Sequence, residues 1–322
     1  MHRFKKILVA VDLADDLRFV ADTLPAPTKE AIRQAERVAK SSGSHIQFIY
    51  VLPTRAEQMS HDRQILMAQG EDYKSVFDHA GEVLSGIAEL TSQKGIQTSS
   101  KVVFGKSWLE LIREAIRSDA NLVIAGTRRQ GPFRTMLFGS TGIKLLRKCP
   151  CPVWVTKPEP DGDEWVDSIL VAFDLTDVGD AALELGCSMA QERGTILHVL
   201  HSIEYQNPAS DAVDASKKLD VENAIREQLQ GFGFDDAKAK IQVDIGNAEE
   251  SILSYIEQHD IKLIVMGTVS RTGIASIVIG NTAEKLLPFL PCSVLAIKPA
   301  EFKSPVLLSS DEYEDELNGG LE

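Results

Sequence analysis

Short runs of apolar residues alternate along the chain with longer segments in which apolar residues recur every three or four positions. The first pattern is typical of buried strands and the second of amphipathic helices. In the first half, strands are predicted at ILVAVD (7–12), IQFIYV (46–51), TSSKVVF (98–104), LVIAGT (122–127) and PVWVT (152–156). In the second half, they are predicted at ILVAFD (169–174), TILHVL (195–200), AKIQVDI (239–245), LIVMGT (263–268) and SVLAI (293–297). Because these strands are apolar throughout and alternate with helices, they predict an α/β fold with doubly wound parallel sheets covered on both faces.

The chain repeats itself at the scale of a domain. KKILVAVDLADD (5–16) returns as DSILVAFDLTDV (167–178), and the segment 122–158 returns without a gap at an offset of 141 residues. A repeat of roughly 150 residues is a domain and not a solenoid unit. KPEPDGDEW (157–165) has the composition of a linker. The sequence therefore predicts a first domain at 1–158, a second at 159–300 and an acidic tail at 301–322.

Charge is distributed unevenly between the two copies. The net charge of −13 argues against general nucleic-acid binding, because phosphate contacts need a basic face. Residues 1–158 carry 23 basic and 16 acidic side chains, whereas the remainder carries 11 basic and 31 acidic ones. An anionic ligand is therefore expected to prefer the first half. No apolar run approaches the length of about 20 residues that a membrane span needs, so a soluble cytoplasmic protein is expected.

Candidate ligand-binding residues follow the strands, because doubly wound sheets bind ligands beyond the carboxyl ends of their strands. Asp12 and Asp174 close the first strand of each copy, where a carboxylate could accept hydrogen bonds from a ribose or base edge; the alternative is a helix cap or turn residue. Gly126 lets backbone approach a ligand, and Gly139-Ser140-Thr141 opens a helix. Free amides and two hydroxyls there predict an anion cradle, although the same residues also suit a turn with nothing bound.

The loop between the fourth strand and its helix carries a more specific pattern. The arrangement G-x-x-G, nine residues, then G-[ST] resembles the nucleotide-binding loop of the universal stress protein family. The chain start ILVAVD with Asp12, the LHV-like second strand and the closing strand PCPVWV also resemble that family. The resemblance covers both repeats, and by it the chain is identified as a tandem member of the family, of the E type found in proteobacteria.

This resemblance implies a Rossmann-like, five-stranded parallel sheet in each domain, related to the adenine nucleotide alpha hydrolases. It also implies dimer contacts through the last strand and, in some members, binding of ATP or a related nucleotide. Adenine and ribose would meet Asp12, Ile49 and Ala125-Gly126, and phosphates would meet Gly139, Ser140 and Thr141. The matching positions in the second copy are Asp174, Val199, Met266, Gly267, Gly280, Asn281 and Thr282.

Both copies depart from the family pattern. Arg129 stands at the second glycine of the first copy, where a side chain would block the close backbone approach that glycine allows. The alternatives are that Arg128, Arg129 and Arg134 of this arginine loop bring charge to phosphates, or that they form a solvated loop. In the second copy that glycine is Ser270, and Asn281 replaces the hydroxyl residue. ATP is therefore a candidate for the first copy, and the second site is expected to be degenerate. The apolar loop GIASIVIG (273–280) either packs on the core or lines a pocket for an apolar ligand.

The resemblance implies a role in the stress response. Two ligand-competent folds without a visible catalytic base favour a protein that acts by binding a ligand or a partner, and not an enzyme. The two domains are expected to form an internal pseudo-dimer, with strands 152–156 and 293–297 pairing or facing each other, and a homodimer is a further option. One alternative is a slow ATPase or self-phosphorylating switch with Ser140 or Thr141 as the acceptor. Another alternative is a carrier of an apolar, lipid-like ligand in the second domain.

No metal site is expected from the cysteines and histidines. Cys149-Pro-Cys151 lacks zinc spacing, and Cys151 and its counterpart Cys292 are interpreted as small buried hydrophobes. His198 and His201 are three residues apart on a strand, which puts them on opposite faces.

Overall fold

A computed structural model describes residues 4–13, 24–53, 73–127, 129–130, 136–137, 139–158, 168–203, 211–268 and 280–308. The chain divides into two compact units, which do not coincide with the two sequence copies. We call them the N-terminal unit, with the described residues of 4–127, 139–151 and 303–308, and the C-terminal unit, with those of 129–137 and 152–302. Four segments discussed above lie wholly or in part outside the described residues: the linker at 159–165, the arginine loop at 128 and 131–135, the apolar loop at 273–279 and the acidic tail from 309 onward.

The N-terminal unit contains a parallel sheet of four described strands. Its strands are β1 (Lys6–Ala10), β2 (His45–Leu52), β3 (Gln97–Phe104) and β4 (Leu122–Gly126), in the order β4-β1-β2-β3. Its helices are α1 (Ala26–Ser42), α2 (Tyr73–Ser92), α3 (Ser107–Arg117) and α4 (Ser140–Lys148). Ile7, Leu8 and Val9 are consecutive and each is at most 1% exposed, so both faces of β1 are covered.

The C-terminal unit contains the five parallel strands predicted for one copy. A short hairpin of β5 (Arg129–Gln130) and β6 (Met136–Leu137) and the strand β7 (Val153–Thr156) come first in the chain. The other strands are β8 (Ile169–Ala172), β9 (Leu197–Ile203), β10 (Ala239–Ile245), β11 (Leu263–Gly267) and β12 (Ser293–Ile297). The helices are α5 (Asp177–Arg193), α6 (Asp211–Gly231), α7 (Ala248–Gln258) and α8 (Asn281–Leu286). The parallel strands follow the order β10-β9-β8-β11-β12, which confirms the predicted α/β fold class.

The last strand of the first copy belongs to the C-terminal unit. β7 pairs with β12 in antiparallel register, with Trp154 opposite Leu295 and Val155 opposite Val294. The predicted pairing of the two closing strands is therefore confirmed. The β5–β6 hairpin, which comes from the loop after β4, also lies in this unit, where β6 contacts the short 3-10 turn Leu287–Phe289.

Strand order fixes where a ligand would enter. In each copy the chain builds outward from the first strand through the second and third, and then returns to place the fourth strand on the other side of the first. The order reverses between β1 and β4, and again between β8 and β11. A cleft opens at such a reversal, at the carboxyl ends of the two strands. The residues after β1 and β4, and after β8 and β11, are thus the ones that line it.

The helices that follow the first strands have the same termination signal. α1 ends at Gly43 and α5 at Gly194, with φ of 62° and 67°. Only glycine adopts this left-handed conformation without a steric cost, and its N–H then satisfies a carbonyl of the last turn. The Gly43 N–H donates to the Ala39 carbonyl at 2.8 Å. The two copies therefore share local structure as well as sequence.

Candidate ligand-binding sites

The segment after β1 is held in place through its backbone. Asp12 follows the strand end by two residues, and its N–H donates to Thr28 Oγ1 at 3.2 Å. The Thr28 hydroxyl donates in turn to the Asp12 carbonyl at 3.1 Å, and the Val11 N–H donates to the Ile49 carbonyl at 2.9 Å. Thr28 is 2% exposed. These bonds fix the position of the Asp12 backbone at the carboxyl end of the sheet.

Gly126 is required by the contact between β4 and the start of α1. A Cβ added at Gly126 would lie 2.4 Å from the Pro27 carbonyl oxygen and 2.5 Å from its carbonyl carbon. Both are backbone atoms of the first turn of a helix, which cannot move aside as a side-chain tip can. Close helix packing therefore explains this glycine without a ligand, an explanation that the sequence pattern did not provide.

Three strands bring the expected adenine and ribose residues together. Ala10 of β1 pairs with Ile49 on one side and with Ala125 on the other. Ile49 is 1% exposed and Ala125 is 5% exposed, so both are part of the sheet interior. Asp12 and Gly126 lie just beyond them. The structure thus places these four expected residues at one edge of the sheet.

The expected phosphate residues open α4. Gly139 is the N-cap, with no side-chain hydrogen bond to the first turn and no acidic residue in that turn. A Cβ at Gly139 would have no atom within 4 Å. Ser140 is exposed and Thr141 is partly exposed. Amides of the first helical turn lack partners within the helix and carry partial positive charge, so this end of α4 suits an anion.

Asp174 takes part in a capping turn in the second copy. Its Oδ1 accepts hydrogen bonds from the Thr176 N–H at 3.1 Å and from the Thr176 hydroxyl at 2.6 Å. Thr176 Oγ1 in turn accepts the Gly179 N–H at 3.1 Å and caps α5. Leu175, between them, has a φ of 59° and is 45% exposed. One oxygen of the Asp174 carboxylate is therefore already engaged in a capping turn, which was the alternative interpretation of this residue.

The register corrects one expected residue of the second site. Ala172 pairs with Leu200, as Ala10 pairs with Ile49, and the Phe173 N–H donates to the Leu200 carbonyl as Val11 does to that of Ile49. Leu200 is therefore the counterpart of Ile49, and the assignment of Val199 was wrong by one residue. Because successive residues of a strand face opposite sides, the two differ in the face that they occupy.

The remaining residues of the second site lie in a closed arrangement. Met266 is 4% exposed, and a Cβ at Gly267 would lie 3.0 Å from Val178 Cγ1. The Gly280 N–H donates to the Thr268 carbonyl at 3.1 Å, which joins the two ends of the loop. Asn281 and Thr282 begin a helix of six residues whose first turn contains Glu284. This helix is shorter than α4, and its first turn carries an acidic residue, which that of α4 lacks.

Two residues outside the expected set support the second site. Lys298 is 7% exposed and donates from Nζ to Thr268 Oγ1 at 2.8 Å. His201 donates from Nδ1 to the Phe173 carbonyl at 2.7 Å and so holds the segment before Asp174. The repeated Lys-Pro after the last strand of each copy was the only sequence signal for Lys298. The sequence carried no signal for this role of His201, which was considered only together with His198 as a metal pair.

His198 of β9 and Tyr255 of α7 are buried together, and the exposed His259 follows the last residue of α7. His198 Nδ1 and the Tyr255 hydroxyl share a hydrogen bond of 2.9 Å, and the His259 ring lies 4.2 Å from that of Tyr255. Burial lowers the pKa of His198 to about 4, with the nearby charges of Lys240 and His259 acting in the same direction. Burial also raises the pKa of Tyr255. His198 therefore contacts α7, whereas His201 contacts the segment after β8.

Comparison with known proteins decides the family. The model of the universal stress protein family matches residues 3–157 and again residues 166–298. The chain belongs to the universal stress protein family. Its two matches make it a tandem member, as predicted. Universal stress protein E of Escherichia coli strain K12 is 26% identical over 97% of this chain and 99% of its own. The protein of the same name from Photorhabdus laumondii is 25% identical over 95% of this chain and 98% of its own.

Solved universal stress proteins share the fold. One from Pseudomonas aeruginosa UCBPP-PA14 has a TM-score of 0.67 at 22% identity and covers 93% of this chain and 95% of its own. One from Archaeoglobus fulgidus has a TM-score of 0.66 at 20% identity and covers 91% and 98%. Among the described helices, none is long and apolar enough to cross a membrane. The described residues contain no group of three or more His, Cys, Asp or Glu side chains placed to hold a metal ion.

Proposed function

We propose that this stress-response protein acts by binding an adenine nucleotide such as ATP in its first copy. Asp12, Ile49, Ala125 and Gly126 would receive the adenine and ribose, and Gly139, Ser140 and Thr141 the phosphates. The observation that carries the proposal is the start of α4, where no side chain caps the first turn and no acidic residue lies in it. This helix start belongs to the same copy as the expected adenine and ribose residues, which lie together at one edge of the sheet.

The second copy is proposed to be degenerate for nucleotides. Asp174 is engaged with Thr176, and Glu284 lies in the first turn of a helix that has only six residues. A carboxylate at that position repels phosphate, and a short helix offers a weaker dipole. The copy-to-copy difference in net charge acts in the same direction.

A charge substitution at the start of α4 tests the proposal. In Ser140→Glu, a carboxylate about 6 Å from a phosphate charge, at an effective dielectric constant of about 40, opposes binding by ~1.4 kcal/mol, which is a tenfold loss of affinity. The same glutamate stabilises the N-terminus of the helix, so the variant is expected to fold at least as well as the wild type. Asn281→Glu is the matched control, because it makes the same change at the equivalent place in the second copy.

Isothermal titration calorimetry with ATP, in the presence and absence of Mg²⁺, provides the measurement. We expect wild type and Asn281→Glu to bind with equal affinity and Ser140→Glu to bind at least tenfold more weakly. Equal affinity in all three proteins, or loss only in Asn281→Glu, would remove the assignment. Analysis of the same samples for ADP and for phosphate on Ser140 or Thr141 tests turnover, and neither is expected above the protein-free blank.

A further inference from the structure

Two thiols are in contact at the end of α4. Cys149 Sγ and Cys151 Sγ are 3.6 Å apart, across Pro150. Cys149 is 0% exposed and Cys151 is 8% exposed. Cys149 is the C-cap residue of the helix, and its N–H donates to the Leu145 carbonyl at 3.0 Å. This backbone hydrogen bond fixes Cys149 at the end of the helix, so the fold keeps its thiol close to that of Cys151.

The second copy shows that this turn does not require a sulfur at the first position. At the offset of 141 residues, Cys149-Pro150-Cys151 corresponds to Leu290-Pro291-Cys292. Leu290 is 0% exposed and Cys292 is 2% exposed. An apolar side chain therefore fills the place of Cys149 in an otherwise matching turn. Packing accounts for one buried cysteine in each copy, but it does not account for a second thiol in contact with the first.

Neither Cys187 nor Cys292 has a second cysteine two residues away in the sequence. Burial raises the pKa of Cys187 to about 12, which keeps its thiol protonated. Cys187 and Cys292 are buried and form no disulfide. The thiolate is the form that attacks disulfides and peroxides, so a thiol that is kept protonated, as that of Cys187 is, is inert. Cys151, at 8% exposure, is the most accessible of the four thiols.

We propose that Cys149 and Cys151 form a redox-active dithiol, which a low-molecular-weight disulfide such as glutathione disulfide oxidises reversibly to an intramolecular disulfide. The Cys151 thiolate attacks one sulfur of glutathione disulfide, forms a mixed disulfide and releases one glutathione thiolate. The Cys149 thiolate then attacks the Cys151 sulfur and displaces the second glutathione. In total the protein dithiol loses two electrons and two protons, and one glutathione disulfide becomes two glutathione molecules.

The geometry fits the second step of this exchange. A sulfur–sulfur bond is about 2 Å long, so the two sulfur atoms need to approach by a distance that side-chain rotation supplies. A disulfide closed across one intervening residue is strained, and strained disulfides are easily reduced. Cytosolic disulfides are usually transient and redox-sensing rather than structural. The pair is therefore suited to reversible oxidation.

Counting free thiols by mass spectrometry tests the proposal on the full chain. The folded protein is incubated with glutathione disulfide, then denatured and labelled with N-ethylmaleimide. Reduced wild type carries one label on each of its four cysteines. After oxidation we expect it to lose two labels, retain no glutathione, and recover all labels after treatment with dithiothreitol. The proposal would be overturned if wild type treated with glutathione disulfide in the folded state still took up all four labels. It would also be overturned if the labels were lost at Cys187 or Cys292.

Variants separate the roles of the two thiols. Cys149→Leu introduces the residue of the second copy and lacks the resolving thiol, so it is expected to retain one glutathione on Cys151. Of the pair, Cys151→Ser retains only the fully buried Cys149, and this variant is expected to remain reduced over the same time. A double variant, Cys187→Ala with Cys292→Ala, is expected to oxidise as the wild type does. Glutathione trapped on Cys149 in Cys151→Ser as fast as on Cys151 in Cys149→Leu would contradict the assigned order.

Discussion

Replacing Gly126 by alanine is expected to destabilise the N-terminal unit because the new Cβ collides with backbone. It would lie 2.4 Å from the Pro27 carbonyl oxygen, whereas unstrained contacts of this kind lie near 3.5 Å, so the start of α1 has to move by about 1 Å. Overpacking of this kind costs typically ~1–3 kcal/mol. For a unit of this size each kcal/mol lowers the melting temperature by about 2–4 °C. We therefore expect Gly126→Ala to melt several degrees below the wild type.

Circular dichroism during heating and during urea titration, without nucleotide, measures this effect. Gly86→Ala in α2 is the matched control, because a Cβ there has no atom within 4 Å and alanine favours a helix by ~0.5–1 kcal/mol. Gly267→Ala is expected to fall between the two, since its nearest contact, Val178 Cγ1 at 3.0 Å, belongs to a side chain. If Gly126→Ala were as stable as Gly86→Ala, the packing explanation would be refuted and a ligand would be needed to explain this glycine.

Two further predictions concern the C-terminal unit. Because the pKa of His198 is about 4 in the folded protein and about 6.5 when unfolded, the unfolded state binds more protons between these values. The neutral histidine thus contributes stability that is fully present above about pH 6.5 and is lost as the pH falls toward 4, by up to ~3 kcal/mol. The urea midpoint of the wild type should therefore fall more steeply over this pH range than that of His198→Gln. Equal slopes for the two proteins would argue against the lowered pKa of His198. Leu175→Gly should raise the melting temperature, because glycine relieves the backbone strain of a φ of 59°, worth ~1 kcal/mol. Leu13→Gly, at the equivalent position of the first copy, should lower the melting temperature, because Leu13 is only 4% exposed and its side chain packs in the core. A lower melting temperature for both variants would contradict the strain argument.

The alternation of apolar runs and helices predicted most of the elements. The strands predicted at 239–245 and 293–297 match the structure residue for residue, and the helix that Gly139-Ser140-Thr141 was expected to open begins at Ser140. These elements follow from local patterns, which a sequence displays directly. The repeat of the pattern also predicted two copies with equivalent strand ends.

Non-local contacts could not be predicted in the same way. The grouping of β7 with the second copy depends on contacts between segments far apart in sequence. The slip from Leu200 to Val199 arose because β9 is buried on both faces, so no polar alternation marks its register. The contact of Gly126 with Pro27 joins residues that are far apart in sequence. Thr176, by contrast, precedes an acidic first turn and carries a recognisable capping signal.

The number of ATP molecules that each chain binds tests the central claim, that the two copies share a fold but only the first retains a nucleotide site. Native mass spectrometry of the full chain, titrated with ATP, reports this number directly. We predict one nucleotide per chain for the wild type and for Asn281→Glu, and a strongly reduced occupancy for Ser140→Glu. Two nucleotides of equal affinity, or none at concentrations that saturate nucleotide-binding proteins, would contradict the account.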